Sequence, residues 1–371
     1  LHGKVQSIKI SRSTINSQPA TPNYLVVGAG LAGCLIAWRL RAAGCRVRMV
    51  GESSGPSASR AAAGIINPVT GRWMTKSWRF DRLFPIAVDT YSELSRELGV
   101  DLYHPVPARR FFQNKEDAKR AGRRSRNPRY KDILGTPLAP GEAPTPLIDP
   151  AGSIPILGAG WADLPALIDG VRSALAKGDD YHDERFEHAA LHGRSSKWVY
   201  AGETFAAVIF CEGVGLRENP WFADLPLAPV KGETLELHGP DLALAPGIYH
   251  SRKWLLAYGD ARFRLGATYD EDDLGHAPTS AGRDELLADA RKFVPDDFEW
   301  EITRHLAGLR PATVDTHPMA GAHPTEKGLY LLNGLGSKGA LSAPWLSRHL
   351  TEHLRHGAPL DPEVDLRRFT S

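Results

Sequence analysis

The feature that most constrains this chain is an apolar run, Tyr24-Leu25-Val26-Val27, that ends directly in Gly28-Ala29-Gly30-Leu31-Ala32-Gly33. The apolar-rich segment that follows stops at Gly44, as a buried helix with a glycine C-cap would. Residues 46–50 alternate like a second strand, and Glu52 stands just beyond it. Strand, tight turn, helix, strand and acid predict a βαβ unit with a parallel pair. The spacing has a chemical purpose. Gly28 permits the turn, Gly30 leaves room for a pyrophosphate, and Gly33 lets helix and strand pack closely. The helix N-terminus at Leu31 and Ala32 then faces phosphate. Glu52 is placed to accept from both hydroxyls of an adenosine ribose and would repel a 2′-phosphate. Together these residues predict a dinucleotide site.

Composition narrows the classes. The 371 residues hold 45 Lys and Arg against 43 Asp and Glu, so a net charge of +2 names no polyanionic partner. No apolar run is long enough for a membrane span. The three cysteines, Cys34, Cys45 and Cys211, have neither metal-site spacing nor the number for a disulfide framework. A cytoplasmic protein without a metal is the expectation. Residues 1–21 are polar and read as a loose arm without a signal peptide, and 361–371 as a tail.

Further segments carry site signals. Residues 57–67, SASRAAAGIIN, are small and polar, as in loops that pass close to a ligand. Ser59 and Arg60 are candidate phosphate donors there, with Ala61, Gly64 and Asn67 beside them. Arg72, Trp73, Lys76 and Trp78 read either as a strip at the mouth of a site or as a packing loop. Residues 77–98 have helical spacing. Residues 115–131 hold eight Lys and Arg against Glu116 and Asp117 and read as a solvated helix and loop, with a phosphate-binding patch as the alternative. Residues 133–158 look like linker and turns. Asp163 is placed to cap a helix over 164–177. Residues 184–210 suggest three strands, the last running into Cys211-Glu212-Gly213, a second turn that brings backbone N–H groups toward a cofactor. Residues 229–275 read as an antiparallel sheet, and 282–294 as a helix. A strand at 329–332, a turn with Gly334, Gly336 and Gly339, and a helix ending at Gly357 close the chain.

Taken in order, these motifs resemble the D-amino acid oxidase and glycine oxidase superfamily of flavin-dependent amine oxidoreductases. The resemblance rests on the fingerprint, on SASRAAAGIINP, PVKGETLEL and LGATYD, and on the pair GLRPATVDTHPMAG and GLYLLNGLGSKGALSAP. It implies an α/β, Rossmann-like FAD-binding domain of the glutathione-reductase type, with an inserted antiparallel-sheet substrate domain giving the chain an α+β part. The FAD domain is then discontinuous, over 22–95, 150–220 and 305–360, and the substrate domain covers 96–149 and 221–304. FAD is held non-covalently, with Ser337 and Lys338 in its C-terminal loop. Substrates are small amines or amino acids, the hydride goes to flavin N5, and oxygen or another acceptor takes the electrons, oxygen giving hydrogen peroxide.

The resemblance also implies site roles. Arg310 matches the arginine that pairs with a substrate carboxylate, and Tyr249 or Tyr258 are candidates to hydrogen-bond it. The chain departs from the pattern at Thr313, where one branch has an arginine, and at Lys338, where the glycine oxidase branch has another. GLGSKGALSAP is closer to the flavin module of tRNA wobble-uridine modification enzymes, so oxidation of a modified nucleoside is the alternative. The near-zero net charge argues against nucleic acid without excluding it. A flavoprotein with a binding or assembly role is a third reading. No apolar stripe marks an oligomer interface.

Overall fold

The computed structural model describes residues 21–194, 197–240, 242 and 244–369; the expected arm at 1–21 lies outside them except for Thr21. Two sheets organise the fold. The first has six strands, in the spatial order Tyr181–His182, Arg46–Val50, Asn23–Val27, Ala207–Phe210, Leu329–Asn333 and Met319–Ala322. All neighbours are parallel except the last pair, which is antiparallel. Strands buried on both faces need apolar runs, and Val26, Val208, Ile209 and Leu331 are fully buried. Helices Leu31–Ala42, Phe80–Leu98 and Gly339–His356 pack together on one face. There the buried Tyr91 hydroxyl donates to the Ala340 carbonyl at 2.6 Å.

The second sheet has seven strands, in the order Glu301–Arg310, Val230–His238, Arg262–Gly266, Trp254–Gly259, Gly247–His250, Ala108–Phe111 and Ser153–Ile156. It is antiparallel except where 247–250 lies parallel to 108–111. Alternation gives it two faces. Leu235, Leu255, Phe263 and Leu265 point to one side, under helix Ser280–Ala290. The other face looks at the first sheet's turns.

Several expectations need correction. Residues 153–156 form a strand of the second sheet, not linker, because Leu138 and Ala108 supply hydrogen-bonding neighbours on both sides. The strand Glu301–Arg310 likewise belongs to the second sheet along its whole length, past the expected boundary at 305. The segment 184–191 is not a strand; its charged residues stay outside while Phe186 packs on Tyr200. The helix Leu164–Ala176 begins where the sequence placed it, with the Asp163 carboxylate accepting from Ala166 N at 3.0 Å. No helix among the described residues is long and apolar enough to cross a membrane.

Candidate active site

A cleft of about 670 Å³ runs between the two sheets. Its first wall is the glycine turn. Helix Leu31–Ala42 starts at Gly30, which has no side chain to cap it, and has no acid in its first turn, so its remaining N–H groups and positive dipole end lie at the cleft. Gly33 meets the strand so closely that a Cβ there would lie 1.8 Å from the Gly28 carbonyl oxygen. Gly28, Gly30, Leu31, Ala32 and Glu52 all line the cleft; Gly33 lies behind them and packs helix on strand. Ser59 lines it too, and its Oγ accepts from Leu31 N at 3.1 Å, joining the second loop to the helix start. Ala61, Gly64, Cys211, Gly213, Gly336, Ser337 and Gly339 complete the set that the sequence placed there.

Other predicted residues lie elsewhere. Arg60 turns away and forms a two-point pair with Asp169 at 2.6 and 3.1 Å. Asn67 is buried and structural: its Oδ1 accepts from Val69 N and its carbonyl from Ser77 Oγ. Gly334 lies off the lining, donating to Asn333 Oδ1, while Asn333 Nδ2 donates to the Gly213 carbonyl. Tyr249 faces the wrong side of its sheet; it pairs in register with Leu255 and donates to the Ala245 carbonyl. Tyr258 also lies off the lining and packs edge-on against Trp161. Lys76 and Trp78 are held by Asp81 and Glu363, away from the cleft.

Lys338 is partly buried between the cleft-lining Ser337 and Gly339 but does not itself line the cleft. It has no ion-pair partner among the described residues, and burial pushes its ammonium down to about 8. His250 is close enough to feel it: burial first, then the charges of Arg110 and Lys338, press this imidazole down to about 3.

Arg310 lines the roof of the cleft at the end of its strand. Its guanidinium makes three hydrogen bonds of 3.2 Å, to the carbonyls of Lys231 and Thr268. No carboxylate pairs with it among the described residues, and burial pushes its pKa below the ordinary value, with Tyr269 acting in the opposite direction. Of five N–H donors, three bonds leave at least two free. The group is accommodated because position 232 is glycine: a Cβ there would lie 1.9 Å from Arg310 Nη2.

Sequence reasoning missed three residues. Arg172 is buried on helix Leu164–Ala176 and donates to the Ala29 carbonyl through Nε at 3.0 Å and Nη2 at 2.6 Å, fixing the fingerprint turn from behind. The Glu212 carboxylate, part of the quoted second turn, bonds His188 Nε2 at 2.8 Å and Asn219 Nδ2 at 2.7 Å. Trp254 lines the roof and sits opposite His250 in the hairpin. Period-two alternation signalled Trp254; nothing local signalled Arg172.

Known proteins agree with this geometry. The family model "DAO: FAD dependent oxidoreductase" matches residues 23–353. The glycine oxidase of Pseudomonas aeruginosa is 26% identical over 373 residues, covering 91% of this chain and 96% of that one. A tRNA 5-methylaminomethyl-2-thiouridine biosynthesis bifunctional protein of Marinobacter nauticus is 25% identical, over 93% of this chain and 57% of that one. The glycine oxidase structure from Geobacillus kaustophilus superposes with a TM-score of 0.77 at 24% identity, covering 93% and 98%. Iminodiacetate oxidase from Chelativorans sp. gives 0.75 at 23%, covering 92% and 98%. The glycine start of the helix, the small residues along the turns and the acid beyond the second strand fit FAD, and the chain belongs to the DAO family of FAD-dependent oxidoreductases.

Proposed function

We propose that the protein oxidises the C–N bond of a small amine or amino acid, with oxygen as electron acceptor. The observation that carries this reading is Arg310: a half-buried guanidinium on the cleft roof that hydrogen-bonds backbone carbonyls and pairs with no carboxylate among the described residues. A planar fork with free donors suits a substrate carboxylate. When bound, FAD supplies the hydride acceptor at its N5.

The chain's own groups do the rest. The carbonyls of Lys231 and Thr268 orient the guanidinium, so the substrate meets a fixed partner. Trp254 and Thr234 close the roof around it and limit water at the reacting carbon. Arg310 adds positive potential that favours charge moving toward the cofactor. An amino acid losing hydride and a proton becomes an imino acid, which water hydrolyses to an oxo acid and ammonia. The two electrons and two protons convert oxygen to hydrogen peroxide.

An anaerobic screen tests this. Glycine, sarcosine, proline, D-amino acids and N-alkylated amino acids are mixed with the holoprotein, and the flavin absorbance near ~450 nm is followed. Bleaching, with peroxide on admitting air, is expected for at least one amino acid. A flavin that no amine or amino acid reduces would overturn the reading.

A further inference from the structure

Two sequence features outside the cleft, the 115–131 basic run and the Arg72-Trp73 dipeptide, meet on one surface. Helix Lys115–Ser125 is capped by Asn114, whose Oδ1 accepts from Asp117 N at 3.0 Å, and only Ala121 of its residues is buried. Its two acids are consumed locally: Glu116 pairs with Lys119 at 2.9 Å and Asp117 with Arg120 at 2.8 Å. Arg72, Lys115, Arg123, Arg126, Arg129 and Lys131 remain exposed, with no ion-pair partner among the described residues.

Trp73, next to Arg72, has 53% of its surface exposed. The Arg72 and Arg120 guanidinium carbons lie 4.6 and 4.7 Å from its ring. The loop that presents it is fastened at three carbonyls. Arg110 donates to Gly71 at 2.8 Å, Arg120 to Arg72 at 2.9 Å and Arg124 to Trp73 at 3.4 Å. Met74, next in sequence, is 1% exposed and anchors the loop from below. An exposed indole on a fixed loop, flanked by the unpaired Arg72 and by Arg120, which Asp117 pairs, is not an ordinary solvated helix face.

We propose that this surface docks single-stranded nucleic acid, phosphates lying on the arginines and a base against Trp73. Charge complementarity and the aromatic together select this partner. The KEDAKRAGRRS helix has no apolar face to lay into a bilayer, so a lipid surface would be held by charge alone and would leave Trp73's stacking unused. The proposal is independent of the oxidation reading, because none of these residues lines the cleft.

The test is fluorescence anisotropy of labelled single-stranded RNA and DNA of about 20 nucleotides, titrated with FAD-loaded protein. With four phosphates contacted, affinity should fall about 50-fold between ~50 and ~200 mM salt. Trp73→Ala should weaken binding roughly tenfold and keep the salt slope. Arg123→Glu with Arg126→Glu should abolish binding, and the Gln pair should lower the slope by about 1.4. Retained FAD shows that each variant is folded. RNA bound more tightly than DNA names the sugar read; equal binding leaves both as ligands. No binding at low salt, binding that every variant leaves unchanged, or binding only to vesicles of phosphatidylcholine with phosphatidylserine would overturn the proposal.

Discussion

The two walls of the cleft present positive potential by different means. The fingerprint wall uses backbone: the open N–H groups at the start of helix Leu31–Ala42, in a turn kept thin by glycine. The roof uses one side chain, Arg310, set against the carbonyls of Lys231, in the neighbouring strand, and Thr268, just past the end of another. Backbone recognition is local, so a six-residue motif carries it. Side-chain recognition is assembled across the chain, so its parts are far apart in sequence. The first wall therefore tolerates almost no added atoms, whereas the second depends on one charge.

The largest expected effect comes from adding bulk to the first wall. Gly33→Val would force a side chain onto the Gly28 carbonyl, beyond the ~1–3 kcal/mol of ordinary overpacking. Little soluble, FAD-bearing protein should be recovered; a yellow, stable variant would break the contrast between the walls. Arg310→Met should leave folding and FAD intact but lower kcat/KM for a carboxylate substrate by about 2–4 kcal/mol, read in steady-state kinetics. Arg172→Met sharpens the comparison from behind the first wall. It leaves the Ala29 carbonyl with only the weak Cys34 Sγ donor at 3.5 Å and should weaken FAD retention by about 1–3 kcal/mol, measured by fluorescence on dilution.

A smaller effect follows pH. Hydrogen bonding to Glu212 raises His188 above its ordinary value of 6.5. The stability this pair contributes is complete below 6.5 and is lost as pH rises through the raised value. Melting temperatures of the wild type and His188→Gln should therefore converge above that point; a gap that widens with pH would reverse the assignment. The smallest effect is Tyr249→Phe. It removes one hydrogen bond, to Ala245, and should cost about 1 kcal/mol of stability with kcat/KM unchanged.

The same contrast explains what the sequence made legible. The βαβ unit, its glycines and Glu52 were readable because spacing alone dictates them. The fold class followed from the order of such local motifs. Tyr249 was misplaced because alternation says that neighbouring residues face apart, but not which face meets the cleft; the register with Leu255 decides it. Arg60 had the right chemistry for phosphate, yet Asp169, 109 residues away, captures it. Arg172 was invisible because its partner Ala29 is 143 residues away. The Trp73 loop and the basic helix were each noticed, and only their carbonyl contacts show that they form one surface.

The role of Arg310 is decided by the anaerobic rate of flavin reduction in wild type and Arg310→Met. Each would be given an amino acid substrate and the corresponding amine without its carboxylate. The wild type should strongly prefer the amino acid, and the variant should show near-equal rates. A preference that survives the substitution would contradict carboxylate pairing and return Arg310 to a purely structural role.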